Sequence, residues 1–192
     1  MEPNLIEGLG PSLLRIARGS IQAVLGAAPL TAIPASPSVE ERLDLPGAVF
    51  VTLKRNGDLR GCIGSLQAHR SLRDDCAANA VAAAFEDPRF PPVSFDELRN
   101  IRIEVSVLSA PVPFPCASDS DACARLLPGV HGVVLSRGFR RATFLPQVWE
   151  QLPDPHQFLS ALRRKAGIRE DLWDEEMELE VYQVDHAEEP AA

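Results

Sequence analysis

Asn56-Gly57 stands between two apolar runs, residues 48–53 and residues 59–65. An Asn-Gly pair supplies the two left-handed residues of a tight turn, so the two runs must return antiparallel as a hairpin. No other short signal in the chain restricts the fold as strongly. Just beyond it, Ser71 with Asp74 three residues on forms a capping box for a helix reaching Ala84. That helix is nearly all small residues (Ala77, Ala78, Ala80, Ala82, Ala83, Ala84), which suits close packing on a sheet, and Pro88 stops it.

The remaining signals mix strands and helices without a regular alternation. Residues 11–25 place Leu14, Ala17, Ile21 and Val24 on one helical face, with Pro11 at the start. Residues 27–37, with three prolines, read as a long surface connection. Ser94 and Glu97 open a short helix, and Ile101, Ile103, Val105 and Val107 alternate with polar residues as a strand. Residues 111–118 read as a proline-rich exposed segment, and residues 119–127 as a short helix ended by Pro128-Gly129. Arg137-Gly138 sits between residues 130–135 and 140–145 in a second hairpin pattern. Residues 146–152 start a short helix, Asp154 caps another that stops at Gly167, and residues 177–184 read as a closing strand with glutamates outward. The expected fold is α+β: a mixed or antiparallel sheet with hairpins packed by helices.

Composition narrows the function classes. At 192 residues and 45% hydrophobic the chain can bury a real core as a single domain. No window approaches the ~18 consecutive apolar residues of a membrane span, and Met1-Glu2-Pro3 lacks the basic start of a signal peptide. A soluble cytoplasmic protein with no membrane partner is expected. The formal charge of −8 is regional, because residues 170–192 hold ten acids and no Lys or Arg, whereas residues 1–169 carry about +2. The acidic segment is expected to be a solvated edge or a partner-facing patch. Of the 19 cations 17 are Arg, spread all round, which is not a nucleic-acid footprint. Cys62, Cys76, Cys116 and Cys123 show no zinc-type spacing with one another or with a histidine, so neither a disulfide framework nor a metal site is expected.

The chemistry concentrates in Leu59-Arg60-Gly61-Cys62-Ile63-Gly64-Ser65. Two glycines inside a strand need a local reason, either a bulge or the close approach of a backbone or ligand. Simple alternation puts Arg60, Cys62 and Gly64 on one face, where a guanidinium would favour the thiolate and the bare Gly64 would leave space beside the sulfur. Cys62 and Arg60 are the candidate catalytic pair; Gly61, Gly64, Asn79 and Gln147 are candidate binding residues. Asn79 is the polar interruption of the Ala-rich helix. Thr143 and Gln147 bracket a strand-to-helix corner beside Arg140-Arg141, where free backbone N–H groups suit an anion. A base for the thiol would come from His69, His131, His156 or His186. Nucleotide-binding glycine loops, a nucleophile elbow and an iron–sulfur cysteine cluster are absent from the sequence.

Residues 47–65, 79–92, 103–108, 142–152 and 158–167 together, in this order, resemble the AMMECR-type domain family, whose bacterial members are called AmmeMemoRadiSam system protein A. The likeness covers residues 10–184, and the LRGCIG string is its hallmark. It implies an α+β fold of a larger and a smaller lobe with a cleft between them, the hallmark strand lying by that cleft. Carried over residue by residue it marks Arg60 to Gly64, Asn79, Asp87-Pro88-Arg89-Phe90 and Pro146-Gln147. It implies a Memo-like protein and a radical SAM protein as companions, and no known reaction or cofactor. The expected role is a partner or substrate-binding subunit; the alternative is a thiol-dependent enzyme acting on a small molecule or nucleobase.

Overall fold

A computed structural model describes residues 5–27 and 35–190. Most of the expected connection over residues 27–37, and the N-terminal Met1-Glu2-Pro3, lie outside the described residues. The fold is α+β, built as two compact units: residues 1–108 with 185–192, and residues 109–184. Among the described residues no helix is long and apolar enough to cross a membrane.

The first unit is a sheet with helices on one face. The hairpin forms as expected, β1 (Pro46–Arg55) returning through Asn56 and Gly57, both at positive φ, into β2 (Asp58–Gly64). β3 (Arg70–Ser71) pairs with the start of β1, and β4 (Ile101–Leu108) lies antiparallel on its other side. The strand order is β2-β1-β4 followed by β9 (Val184–Glu188), so β2 is an edge. Val49, Val51 and Leu53 of β1 and Ile103 and Val105 of β4 are fully buried under two helices, α1 (Gly10–Val24) and α3 (Leu72–Phe85). Each such aliphatic side chain contributes roughly 1.5–3 kcal/mol by leaving water. In α1 the buried face is Leu13, Ala17 and Ile21, with Leu14 packed partly against the core; Val24, the last residue of the helix, is exposed. The Ser71 and Ser94 caps form, each hydroxyl accepting the backbone N–H three residues on, at the starts of α3 and α4 (Phe95–Leu98). α2 (Pro37–Asp44) is tied to α3 by Arg73, which bonds Glu40 and Asp44.

The second unit is a four-stranded sheet, order β5-β8-β6-β7, comprising β5 (Val112–Pro113), β6 (Gly132–Arg137), β7 (Arg140–Phe144) and β8 (Met177–Tyr182). Its core joins Val133, Leu135 and Leu179 to Phe158, Leu159 and Leu162 of α6 (Pro155–Lys165). Trp149, from the 3-10 helix Pro146–Glu150, stacks on Phe158 at 3.7 Å between ring centroids. α5 (Asp119–Arg125) packs against α6.

The expected closing strand is two strands. β8 ends at Tyr182, and β9 (Val184–Glu188) joins the first unit's sheet beside β4. Its sequence, Val-Asp-His-Ala-Glu, carries no apolar alternation; backbone pairing holds it, continued by the Glu189 N–H to the Ile103 carbonyl at 3.0 Å. The acidity of this segment is mostly spent within the molecule. Glu189 pairs with Arg18, Glu188 with Lys54 and Arg102, Asp174 and Glu176 with Arg137, Glu180 with Arg141, and Glu170 with Arg164. Most of its carboxylates are thus locally paired, while the chain keeps its formal charge of −8.

Candidate functional site

The hallmark strand departs from simple alternation at one residue. Thr52 faces Cys62 and Leu53 faces Gly61, but Lys54 faces Leu59, so Arg60 is the extra residue of a β-bulge. A one-residue shift turns a side chain to the opposite face. The expectation that Arg60 and Cys62 share a face is therefore corrected: Leu59 takes that place, and Arg60 turns towards Glu97. The Arg60 guanidinium bonds both Glu97 carboxylate oxygens, at 2.6 and 3.1 Å, and the Pro91 carbonyl at 2.8 Å. Glu97 also reaches Arg55, and the Arg60 bond first, with Arg55 assisting, holds its carboxyl below the usual carboxylate range. Arg60 is buried, and its Nη1 lacks a hydrogen-bond partner.

The guanidinium beside Cys62 belongs to Arg89 instead. β2 is an edge, and the outward backbone groups of Cys62 are capped by two side chains. The Cys62 N–H donates to Asp87 at 2.9 Å, and the Cys62 carbonyl accepts from Arg89 at 3.3 Å. Asp87 and Arg89 are joined by bonds of 2.7 and 2.9 Å, so the pair occupies the place of a further strand and blocks strand addition at Cys62. Phe90 lies under both guanidiniums, 5.5 Å from Arg89 and 5.7 Å from Arg60. The motif read after the Ala-rich helix is thus the partner of the hallmark strand. Sequence reading placed both in the likeness without linking them, because the link is a side chain mimicking a ladder.

The glycines have backbone reasons. A Cβ on Gly61 would lie 3.1 Å from the Ala83 carbonyl carbon in α3 and closer still to its oxygen. Gly64 does not leave open space beside the sulfur: the Phe50 ring covers it, and a Cβ there would lie 2.6 Å from the Phe50 Cα. Asn79 is buried, its amide donating to the Val49 carbonyl at 2.9 Å, to Asp75 at 3.0 Å and to Ser65 at 3.2 Å. Gln147 is exposed on the 3-10 helix of the second unit, and nearby Arg140 and Arg141 are engaged with the Gly167 carbonyl and Glu180.

The Cys62 thiol is half-buried and accepts from the Thr52 hydroxyl at 3.3 Å. Among the described contacts none joins it to a histidine. His69 and His186 are exposed; His131 accepts from the Leu127 N–H and His156 meets Cys123, both in the second unit.

Asp87 makes a pH prediction. Its bonds to Arg89 first, and to the Cys62 and Arg89 N–H groups, hold its carboxyl well below the usual value against the opposing effect of burial. The stabilisation from a depressed carboxyl is complete above the unfolded value of about 4 and is lost as pH falls towards the lower folded value. Asp87→Asn should cost about 2 kcal/mol near neutrality. In urea titrations the gap to the unmodified protein should narrow between about pH 5 and about pH 2. A gap constant with pH would show that the charge contributes nothing.

The chain matches the family model described as AMMECR1 over residues 14–187. It is 38% identical to a protein of Methanothermobacter thermautotrophicus over 169 residues, 84% of each chain. It is 41% identical to one of Thermotoga maritima over 142 residues, covering 73% of this chain and 76% of that one. The crystal structure of an uncharacterised Pyrococcus horikoshii protein superposes with a TM-score of 0.75 at 31% identity, covering 94% of this chain and 91% of that one. With the hallmark strand and its capping pair in place, these matches establish that the chain belongs to the AMMECR1 family.

Proposed function

We propose that the chain works as a partner or substrate-binding subunit beside a Memo-like protein and a radical SAM protein, with the Cys62 rim of β2 as its contact point. One observation carries the reading: the thiol is held by the Thr52 hydroxyl, with no base among its described contacts, while the Arg89 guanidinium that bonds the Cys62 carbonyl keeps donors unspent. Arg89 is half-exposed on this rim and suits a carboxylate or carbonyl of a bound group, whereas Arg60 is buried against Glu97. Most of the hallmark residues serve the fold that presents this rim.

Crosslinking of the purified chain with both companions tests it. Capture of at least one is expected, undiminished in Cys62→Ala and at least tenfold weaker in Arg89→Glu, with a melting curve to confirm folding. Capture of neither, or equal capture by a folded Arg89→Glu, overturns the reading. Iodoacetamide should alkylate Cys62 no faster than a model thiol at neutral pH. A rate more than about tenfold higher would favour the thiol-dependent enzyme, with Arg89 in the role first read for Arg60.

A further inference from the structure

The second unit holds a cluster that plays no part in the Cys62 site. Asp119 and Cys123 lie four residues apart on one face of α5, and His156 stands in the first turn of α6. Nδ1 of His156 is 3.3 Å from Cys123 Sγ and 3.1 Å from Asp119 Oδ2, and these two are 3.9 Å from each other. One ring nitrogen therefore faces a sulfur and an oxygen at once, though it offers a single proton or a single lone pair. The thiol proton and an Nδ1 proton could both be shared with Asp119 Oδ2, and one electrophile at the centre would instead bond all three atoms.

The dimensions fit a metal ion. Tetrahedral zinc, with Zn–S near 2.3 Å and Zn–N and Zn–O near 2.0–2.2 Å, sets its ligand atoms about 3.3–3.6 Å apart. The three observed separations bracket that range. We propose that Asp119, Cys123 and His156 form a three-ligand site for a borderline-soft divalent cation, Zn2+ being the best match, with a fourth position open to water. The donor set of thiolate, imidazole and carboxylate selects against Mg2+ and Ca2+, which take oxygen ligands. His156 is 60% exposed while Cys123 is buried, so the open position lies on the solvent side.

Two neighbours shape the site. Arg163, itself buried, bonds the other oxygen of Asp119 and fixes the carboxylate, as outer groups do around metal ligands. Its charge also weakens cation binding, so a moderate affinity is expected. The Cys123 thiol is pushed up to about 11, chiefly by burial, with Asp119 and Asp154 adding and Arg163 opposing. An incoming metal must displace the thiol proton. Sequence spacing misses the cluster because 33 residues separate Cys123 from His156.

The test uses the full chain, stripped with a chelator and titrated with Co2+. One equivalent should produce a thiolate-to-cobalt charge-transfer band that Zn2+ abolishes by competition. His156→Ala, a change at an exposed side chain, should weaken Zn2+ binding at least tenfold, and Cys123→Ser should remove the band. His186→Ala, at another exposed histidine, should leave both unchanged. Absence of a thiolate band, or binding that His156→Ala leaves unaltered, overturns the proposal even if Cys123→Ser fails to fold.

Discussion

Gly61→Ala is expected to lower stability by about 3 kcal/mol or more, seen as a fall in the urea midpoint at unchanged slope. The added methyl would meet the Ala83 carbonyl, which belongs to a helix backbone and cannot swing aside as a side-chain end could. Relief requires β2 and α3 to separate, and that opens the layer filled by Leu53, Ala80 and Ala83. Gly57→Ala isolates the other way a glycine can matter. Gly57 has a φ of 89° with nothing near its missing Cβ, so only backbone strain of about 1–2 kcal/mol is expected there. At roughly 2–4 °C per kcal/mol, melting temperatures should separate the two variants clearly. Equal losses would mean that α3 does not press on the hallmark strand. The effect is structural, so a Gly61 variant that loses partner capture says nothing by itself about binding.

The parts of the fold legible in the sequence are those written locally. Asn56-Gly57, the Ser71 and Ser94 caps and the alternation of residues 101–107 each specify their element through neighbours a few residues away, and each element forms. The candidate site was less legible because its geometry is set at a distance. A single bulged residue moved Arg60 off the face of Cys62, and alternation cannot reveal a bulge that depends on where Glu97 lies. Gly64 looked like open space, but a glycine is equally the mark of a ring packed over it, and only the pairing of Gly64 with Phe50 decides between them. Gln147, read from its strand-to-helix corner and from the family likeness, lies on the 3-10 helix of the second unit. One usable signal was passed over. Asp75, Asn79 and Ala83 fall at intervals of four along α3, a polar pair leading into a small residue on one stripe. Such a stripe on a helix that otherwise buries alanines marks side chains reaching into the sheet.

That stripe carries the second large effect. Asp75→Ala should cost about 3–4 kcal/mol, because Asp75 is fully buried and accepts four hydrogen bonds. They come from the Val49 N–H at 2.8 Å, the Ser65 hydroxyl at 2.7 Å, the Arg70 guanidinium at 2.8 Å and the Asn79 amide at 3.0 Å. Arg70 is partly exposed and can turn to water when the carboxylate is removed, but the Val49 N–H is locked in a central strand and would be left unpaired. Asn79→Ala removes only a donor to groups that keep other partners, so about 1–2 kcal/mol is expected. Because the two residues share Val49, Ser65 and each other, the double variant should fall short of the sum by about 1 kcal/mol or more. Additivity within about 0.5 kcal/mol would show that they act separately. The same cycle bears on function. If the Asn79 amide is consumed by Val49, Ser65 and Asp75, Asn79→Ala should melt earlier yet capture partners as well as the unmodified chain at temperatures where it is folded. A binding loss without a stability loss would return Asn79 to the contact surface and move the site from the outer rim of β2 to the exposed side of α3.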